Sequence, residues 1–411
     1  MSKKLKINQQ RLMDTIFELG QLGALPEKGC CRIAGTAEDK LGRDYVVGKM
    51  KALGLSIRID KIGNVTGIYQ GQSDLPPVMM GSHIDTVGTG GLYDGNYGVL
   101  AGLEVITTLK EAEIVPHRPI AITFFTNEEG VRFQPDMMGS AVFTGRYPLE
   151  DALNAKDLDG ISVDEALTKM GYKGKAEIGS LTVDSYFELH IEQGPILDKE
   201  KIDIGVVTGV QGISWTEITI KGQANHAGTT PINMRRDAGL VASKISCYAR
   251  EITQILGKNQ VATIGYVQYK PNLINVIPEQ AVITIDLRNT DNDALKQAES
   301  MLKDYALNVA KQENTEISFR QLARFNPVIF ADEIIQLVEQ ETKSQEFSYQ
   351  KMPSGAGHDA QFMASVCPSG MIFVPCAGGI SHNVNEYSAP DKLANGANVL
   401  LNVVLQRAQS K

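Results

Sequence analysis

The sequence lacks any apolar run long enough to cross a membrane, which takes roughly 20 residues. Its opening segment, KKLKINQQRLMDTIFELGQLG, also lacks the continuous apolar stretch of a secretory signal peptide. It has only five cysteines, of which Cys30 and Cys31 are adjacent, and no CxxC pair. We therefore expect a cytoplasmic protein with reduced thiols and no membrane partner.

Basic runs and nucleotide-binding motifs are missing as well. The formal net charge is −8, and the basic stretch KKLK near the start is short, which argues against nucleic acid as a partner. The glycine-rich GTGG segment has neither the GxGxxG order nor the lysine of a phosphate-binding loop. What remains is an average globular composition over 411 residues, a length that predicts two domains.

Histidine is scarce, with six in the chain, yet three of them follow apolar, strand-like runs: His83, His190 and His382. Open α/β sheets bind ligands at the carboxyl ends of their strands, so such residues are candidates for one shared site. Because His83 and Asp85 share a strand face, the Asp85 carboxylate is expected to accept the second ring N–H of a metal-bound His83. The alternative is a structural His–Asp hydrogen bond at a strand end.

Acidic residues stand at comparable positions. Asp94 lies just before a helical run, where it is either an ordinary N-cap or a carboxylate that bridges two cations. Glu128 and Glu129 end the apolar run PIAITFFTN, and adjacent side chains at a strand end point in different directions. We predict that Glu129 binds a metal and that Glu128 is the general base; the alternative is a solvated acidic turn.

Together these acids and histidines offer the mixed nitrogen and oxygen ligands of a hydrolytic site with two divalent metal ions. Such ligand sets accept zinc, manganese, cobalt or nickel, so the residue types do not identify the metal. His190 also shares a strand face with Glu188 and Glu192, and burying that face is unfavourable unless it meets charge or water.

The order of elements predicts an α/β fold with an insertion. Helical and strand patterns alternate at first, with a helix predicted to begin at Thr36 and to end at Gly54. Beyond residue 212 the pattern changes to strand-helix-strand-strand-helix-strand, the order of a ferredoxin-like unit. We therefore predict a metal-binding catalytic domain formed by 1–212 and 328–411, with 213–327 inserted as a second domain that closes over the site about hinges near 212 and 327.

A series of motifs connects these features to a known family. GSHIDT, GGLYDG, TNEEGVRF, ELHIEQG, NHAGTTP, RRD, NVIP, DLR, SGAGHDA and GISHN occur in order between about residues 81 and 388. They resemble the amidase/hydantoinase/carbamoylase branch of the zinc aminopeptidase-like hydrolases, whose members hydrolyse N-carbamoyl-L-amino acids, 3-ureidopropionate or allantoate. The resemblance implies an aminopeptidase-like mixed-sheet catalytic domain and an inserted lid that also forms a homodimer.

The resemblance also implies a role for individual residues. One metal would be held by His83, Asp94 and His190, while Asp94 bridges to a second metal held also by Glu129 and His382. Glu128 matches the catalytic base. The other matching residues are His226, which stabilises the oxyanion in a neighbouring site, and the substrate-holding Gln193, Asn275 and Arg288.

Four further positions bear on substrate recognition. Arg288 ends an alternating strand and could grip an α-carboxylate with two hydrogen bonds, or else form a surface ion pair. Gly355 and Ala356 precede a helix-like segment whose N-terminal N–H groups could bind a carboxylate, and His358 is expected to fix this loop. Trp215 stands where allantoate-type relatives place an arginine, which favours carbamoyl amino acids unless the tryptophan is simply part of the core.

The residues and the resemblance together predict a binuclear metal-dependent amidohydrolase that cleaves the carbamoyl group of an N-carbamoyl-L-amino acid and releases the amino acid, ammonia and carbon dioxide. Allantoate hydrolysis is the first alternative, since the resemblance implies the same catalytic machinery. A metallo-exopeptidase and a non-enzymatic binding protein are weaker alternatives.

Overall fold

The computed structural model describes residues 4–257 and 259–410. Numbered in chain order, the helices are α1 (Gln9–Gly20), α2 (Ala37–Ala52), α3 (Asn96–Glu111), α4 (Met138–Phe143), α5 (Leu149–Asn154), α6 (Val163–Met170), α7 (Ile196–Glu200), α8 (Ala238–Leu256), α9 (Asn292–Gln312), α10 (Asp332–Ser344), α11 (Asp359–Met363) and α12 (Pro390–Gln409). The strands are β1 (Ser56–Ile59), β2 (Val65–Tyr69), β3 (Val78–His83), β4 (Ile120–Phe125), β5 (Ser185–Ile191), β6 (Ile204–Val210), β7 (Gly212–Lys221), β8 (Asn225–His226), β9 (Val261–Lys270), β10 (Val276–Ile277), β11 (Gln280–Asn289), β12 (Glu316–Phe325), β13 (Val328–Ile329), β14 (Tyr349–Ser354) and β15 (Ser369–Val374).

The chain forms two compact units. The larger unit consists of Met1–Gly209 and Ile329–Lys411, and the smaller unit consists of Val210–Val328. Within the described part of the chain, no helix has both the length and the apolar character needed to span a bilayer.

The larger unit is built on a nine-stranded mixed sheet in the order β1-β2-β4-β3-β5-β15-β6-β13, with β14 paired to β6. The neighbours β4, β3, β5 and β15 run parallel to one another. Every residue of these four strands is buried, which explains why the sequences of β3, β4 and β15 are mostly apolar. β5 is the exception, because Glu188 and His190 alternate with its apolar residues. Helices including α3, α11 and α12 pack against them. The predicted α/β fold with a mixed sheet is confirmed.

Local signals also define one helix near the start of the chain. The Thr36 side chain accepts the N–H of Asp39 and caps α2, and Gly54 follows that helix with a φ of 72°. Glycine adopts such a left-handed conformation without steric strain, so both ends of the predicted helix are confirmed to within two residues.

The smaller unit contains a four-stranded antiparallel sheet in the order β12-β7-β11-β9, against which α8 and α9 pack. Counted in chain order, this arrangement is fourth-first-third-second, as in a ferredoxin-like fold. Alternate residues of β11 enter the core with the apolar faces of both helices, because side chains of a strand point in turn to its two sides. β8 and β10 form a separate two-stranded pair.

Candidate metal centre

The parallel strands of the larger unit bring together side chains from distant parts of the chain. Because these strands share a direction, their carboxyl ends lie at one edge of the sheet. The residues at this edge are His83 at the end of β3, Glu128 and Glu129 just after β4, His190 near the end of β5, and His382 in the loop after β15. Asp94 joins them from the turn before α3.

Asp94 belongs to two groups of potential ligands at once. His83, Asp94 and His190 form one group, and Asp94, Glu129 and His382 form the other, with the ligand atoms of each group within 4.8 Å of one another. Oδ1 of Asp94 lies 3.5 Å from Nε2 of His83 and 3.1 Å from Nε2 of His190. Its Oδ2 lies 3.3 Å from Nε2 of His382, which is 3.4 Å from Oε2 of Glu129. One carboxylate therefore faces two sites with its two oxygens.

The tautomers of two histidines suit metal binding. Nδ1 of His83 lies 2.9 Å from the main-chain oxygen of Asp85, and Nδ1 of His190 lies 2.9 Å from that of Ile191. A carbonyl oxygen can only accept a hydrogen bond, so both Nδ1 atoms carry the hydrogen and the neutral rings present a lone pair at Nε2. The main-chain N–H of Gly95 also points at Nε2 of His190, at 3.1 Å, which agrees with that assignment.

The candidate metal centre contains more hydrogen-bond acceptor atoms than the neighbouring protein donors satisfy. Oε1 of Glu129 and Oε1 of Gln193 are buried and have no hydrogen-bond partner, although Nε2 of Gln193 donates to Oδ2 of Asp94 at 2.8 Å. Carboxylate oxygens facing imidazole lone pairs repel one another unless a positive charge lies between them. The residues therefore fit two divalent cations with nitrogen and oxygen ligands, the donor set of zinc and its neighbours in the first transition series.

The pKa values of two of these histidines are raised by the negative charge of the neighbouring carboxylates. Burial lowers the pKa of His83, but the charge of Glu128 and the hydrogen bond to Asp94 outweigh it and raise that pKa well above its usual value. The hydrogen bond to Asp94 raises the pKa of His382 to about 9. Both shifts reflect the excess of negative charge around these two rings.

Glu128 lines a cavity of about 140 Å³ together with the ligand groups. Its side chain is 9% exposed, its Oε2 lies 3.4 Å from Nε2 of His83, and burial raises its pKa well above the usual range. A carboxyl group with a raised pKa, placed beside candidate metal ligands, can take a proton from water and hold it for a leaving group.

The sequence analysis predicted that the carboxylate of Asp85 accepts the ring N–H of His83, and this prediction is wrong. The main-chain oxygen of Asp85, not its carboxylate, holds the ring of His83. The carboxylate accepts the main-chain N–H groups of Glu128 and Glu129, each at 3.2 Å, and is almost fully buried. Asp85 therefore fixes the turn that presents the two glutamates.

Glu386 was not identified from the sequence. Its Oε1 accepts the N–H of Tyr93 at 3.1 Å and of Asp94 at 3.2 Å, while its Oε2 accepts the hydroxyl of Ser381 at 2.9 Å. Burial raises its pKa to about 7. Glu386 thereby joins the Asp94 turn to the loop that carries His382, and its place four residues after that histidine is the signal that could have revealed it.

The loop before α11 differs from the expectation. The N–H of Ala360 donates to the buried carboxylate of Glu188 at 2.8 Å, so this N–H of α11 serves the protein itself. The N–H of Ala356 donates to Oγ of Ser354 at 3.1 Å, although Ala356 does line the cavity. Gly355 lies between Ser354 and Ala356 in the same loop.

His358 fixes the loop, as expected. Its Nε2 lies 2.9 Å from Oγ of Ser354, and its ring meets that of His190 edge to face at 4.7 Å. Burial lowers the pKa of His358 well below its usual value, so the ring is neutral.

The other acidic residues on the His190 strand face are also accounted for. Glu188 accepts the Ser82 hydroxyl at 2.6 Å, and Glu192 accepts the N–H groups of Ile196 and Leu197 at the start of α7. The burial of this face is thus offset by hydrogen bonds.

In the smaller unit, His226 and Asn275 are neighbours. β8 pairs with β10, and the N–H of Ala227 donates to the main-chain oxygen of Asn275 at 3.0 Å. Nδ1 of the exposed His226 accepts the N–H groups of Gly228 and Thr229 at 3.0 and 3.1 Å. The ring hydrogen therefore lies on Nε2, which makes His226 a hydrogen-bond donor at that atom even when neutral.

Arg288 and Trp215 lie on neighbouring strands of the same unit. The guanidinium of Arg288 donates to Asp286 through Nε at 3.1 Å and Nη2 at 2.9 Å. Trp215 stands opposite Asp286 across the β7–β11 pair and is 41% exposed, so the alternative that this tryptophan belongs to the core is wrong.

Comparisons with known proteins agree with this geometry. Residues 79–406 match Peptidase family M20/M25/M40. An N-carbamoyl-L-amino acid amidohydrolase of Geobacillus stearothermophilus is 38% identical over 98% of this chain and all of its own length. A ureidoglycolate hydrolase of Arabidopsis thaliana is 34% identical over 97% of this chain and 87% of its own length. The crystal structure of an amidase of the hydantoinase/carbamoylase family from Burkholderia multivorans superposes with a TM-score of 0.97 at 42% identity and covers 99% of both chains. The resemblance drawn from the motifs is confirmed: the chain belongs to peptidase family M20/M25/M40, among the hydantoinase/carbamoylase amidases.

Proposed function

We propose that this chain is a binuclear metal-dependent amidohydrolase that cleaves the carbamoyl group of N-carbamoyl-L-amino acids. The products are the free amino acid, ammonia and carbon dioxide. One observation carries the proposal: the two oxygens of Asp94 face separate ligand groups, and Glu128 lies beside them in the same cavity. An amidohydrolase of this substrate class is also 38% identical to the chain over nearly its whole length.

Five side chains would hold the two ions. His83 and His190 would bind one ion, Glu129 and His382 would bind the other, and Asp94 would bridge them. When bound, two such cations polarise the carbamoyl oxygen and lower the pKa of a water molecule between them. A urea-type carbon is a poor electrophile, which is why the reaction calls for both effects.

Glu128 moves the proton in this proposal. Its carboxylate takes a proton from the attacking water and passes it to the nitrogen that leaves. Its raised pKa suits a group that must hold the proton between the two steps. Asp85 keeps Glu128 and Glu129 in different directions by accepting both of their main-chain N–H groups.

Six residues are proposed to bind the substrate. Arg288 would bind the α-carboxylate of the substrate with its planar pair of N–H donors, and Asn275 and Gln193 would bind further polar groups. Gly355 and Ala356 would contact the substrate from the loop before α11. The exposed indole of Trp215 supports preference for an apolar side chain over a second ureido group.

His226 is proposed to act across a homodimer formed through the smaller unit. Its Nε2–H would donate to the oxygen that becomes negative in the transition state of a partner subunit's site. The fixed tautomer supports this role, since the donor is in place before substrate arrives.

A second candidate substrate is a ureido acid of purine breakdown, such as ureidoglycolate or allantoate. The observation in its favour is the ureidoglycolate hydrolase of Arabidopsis thaliana, which is 34% identical to this chain. The two substrate classes differ in the group next to the α-carbon, which is an amino-acid side chain in one and a second polar group in the other.

The test is a substrate panel on protein stripped of metal and reloaded with zinc, manganese, cobalt or nickel. N-carbamoyl derivatives of apolar and acidic L-amino acids are compared with allantoate and ureidoglycolate, with Glu128→Gln protein as the background control. We expect the highest kcat/KM for an N-carbamoyl-L-amino acid. A higher value for allantoate or ureidoglycolate would establish the second candidate instead.

A further inference from the structure

Arg32 is a fully buried arginine outside the ligand set, and its guanidinium contacts residues next to two of the proposed ligands. Its Nε donates to the main-chain oxygen of Ile84 at 2.7 Å, and its Nη2 donates to Oδ1 of Asn96 at 2.6 Å. Ile84 lies directly between His83 and Asp85, and Asn96 lies two residues after Asp94. One side chain thus reaches both ends of the loop that connects His83 to Asp94.

The position of Arg32 is itself fixed. Its N–H donates to Oγ1 of Thr86 at 2.8 Å, and its main-chain oxygen accepts the N–H of Thr86 at 3.0 Å. Its Nη1 donates to the main-chain oxygens of Leu19 and Leu22 at 2.9 and 2.7 Å, at the end of α1. Each of these acceptors is neutral, so the guanidinium serves here as a rigid planar connector between separate parts of the chain.

Helix α2 leaves space for this side chain. A Cβ placed on Gly42 would lie 2.5 Å from Cδ and 3.0 Å from Nε of Arg32. A Cβ on Gly48, in the same helix, would meet no atom within 4 Å. Glycine at position 42 is therefore required by the close approach of Arg32 and not by the helix.

We propose that Arg32 is a positioning residue of the metal centre, which holds the turn after His83 against the start of α3 so that His83 and Asp94 keep their spacing. The proposal rests on the proposed binuclear centre. It follows from the two acceptors: the carbonyl of Ile84 belongs to the turn that orients His83, and Asn96 donates its own N–H to the main-chain oxygen of Asp94. A purely structural role in capping α1 would use only the contacts to Leu19 and Leu22.

The test separates these two roles with Asn96→Ala, Gly42→Ala and Arg32→Lys. Asn96→Ala removes the contact next to Asp94 and keeps those to α1. Gly42→Ala displaces the guanidinium without changing it, and Gly48→Ala is its matched control in the same helix. The readouts are metal affinity by competition with a chelator, the visible absorption spectrum of the cobalt-loaded protein, and the melting temperature of the metal-free protein.

We expect Asn96→Ala, Gly42→Ala and Arg32→Lys to weaken binding of at least one ion about tenfold or more, the usual effect of losing a group that orients ligands. Their cobalt spectra should differ from that of the wild type, while Gly48→Ala keeps both the affinity and the spectrum. Wild-type affinity and spectrum in Asn96→Ala would overturn the positioning role, even if Gly42→Ala and Arg32→Lys fold poorly. Binding of fewer than two ions by the wild type would instead overturn the binuclear centre on which the role rests.

Discussion

The carboxylate of Asp85 accepts the main-chain N–H of Glu128 at 3.2 Å and that of the next residue at the same distance. A buried acid two residues after β3 therefore sets the direction of two glutamates that follow β4. One of them, Glu129, points to the ligand group of His382, and the other lines the cavity beside His83. The two adjacent glutamates therefore have different roles, and substitution of each should have a different effect.

Glu128→Gln protein should keep both metal ions and lose turnover by roughly 100-fold to 10,000-fold, because a carboxamide cannot carry the proton. Glu129→Gln should instead weaken the binding of one of the two ions. Metal content by atomic absorption and hydrolysis of an N-carbamoyl amino acid measure the two effects. Near wild-type turnover in Glu128→Gln would show that another group is the base.

Asp85→Asn should lower kcat by about 10-fold to 100-fold with a smaller effect on KM. The amide keeps one accepting oxygen and turns a donor towards the other N–H group, so one of the two glutamates loses the hydrogen bond that orients it. Steady-state kinetics at matched metal loading tests this result. An unchanged kcat would mean that the glutamates hold their positions without Asp85.

Gly91→Ala should impair metal binding, and the nearby Gly88→Ala should not. A Cβ on Gly91 would lie 2.2 Å from Oε1 of Glu386, which holds the Asp94 turn, whereas a Cβ on Gly88 meets nothing within 4 Å. Chelator competition on the two variants gives the comparison. Equal metal affinities in the two variants would show that Glu386 does not support the metal centre.

Arg288→Lys should decrease kcat/KM for carboxylate-bearing substrates by about 1 to 3 kcal/mol, since lysine cannot form the paired hydrogen bonds. The amide analogue of the same substrate is the control and should respond little. A similar loss on both compounds would assign Arg288 to its ion pair with Asp286.

Rebinding of metal should release protons from the metal-free protein. The pKa of His382 is raised to about 9, chiefly by its hydrogen bond to Asp94, so the ring is protonated near neutral pH when no cation is bound. It must lose that proton to become a ligand, and metal affinity should therefore fall as the pH falls below about 9. Calorimetry in two buffers of different protonation enthalpy measures the release, and His382→Ala should release fewer protons. Release equal to that of the wild type would assign the proton to another group.

Complementation tests the proposed dimer. His226→Ala and Glu128→Gln chains should each be inactive, and mixing them should restore activity in heterodimers that contain one site with both groups intact. Subunit exchange, verified by mass spectrometry of the intact assemblies, is the control. Complete exchange without recovery would place His226 outside the partner's site.

The strands and helices that carry the site could be predicted because their signals are local. Each of His83, His190 and His382 follows an apolar run, and the paired glutamates end another. The direction of each side chain could not be predicted in the same way. Asp85 accepts two main-chain N–H groups of another loop, and main-chain groups are identical in every sequence. Asp94 meets the side chains of His83, His190 and His382 from three separate segments, which no local pattern brings together.

The roles of Arg32 and Glu386 could not be predicted from the sequence either. Their acceptors and donors are peptide groups and short polar side chains that lie far away in the chain, at Ile84 and Asn96 for one and at Tyr93 and Asp94 for the other. No spacing rule connects such residues. Only the assembled turns reveal why a glycine such as Gly42 or Gly91 must remain without a side chain.

The smaller unit begins and ends on adjacent strands. Ile213 near the start of β7 is the register partner of Phe325 at the end of β12, so the polypeptide enters and leaves this sheet side by side. A module with neighbouring ends can be spliced into a surface turn of a host protein while the host's own strand order stays intact. By the same logic, a short glycine-serine bridge in place of residues 213–325 should leave the strand order of the larger unit unchanged, so that the contribution of the smaller unit to activity can be measured directly.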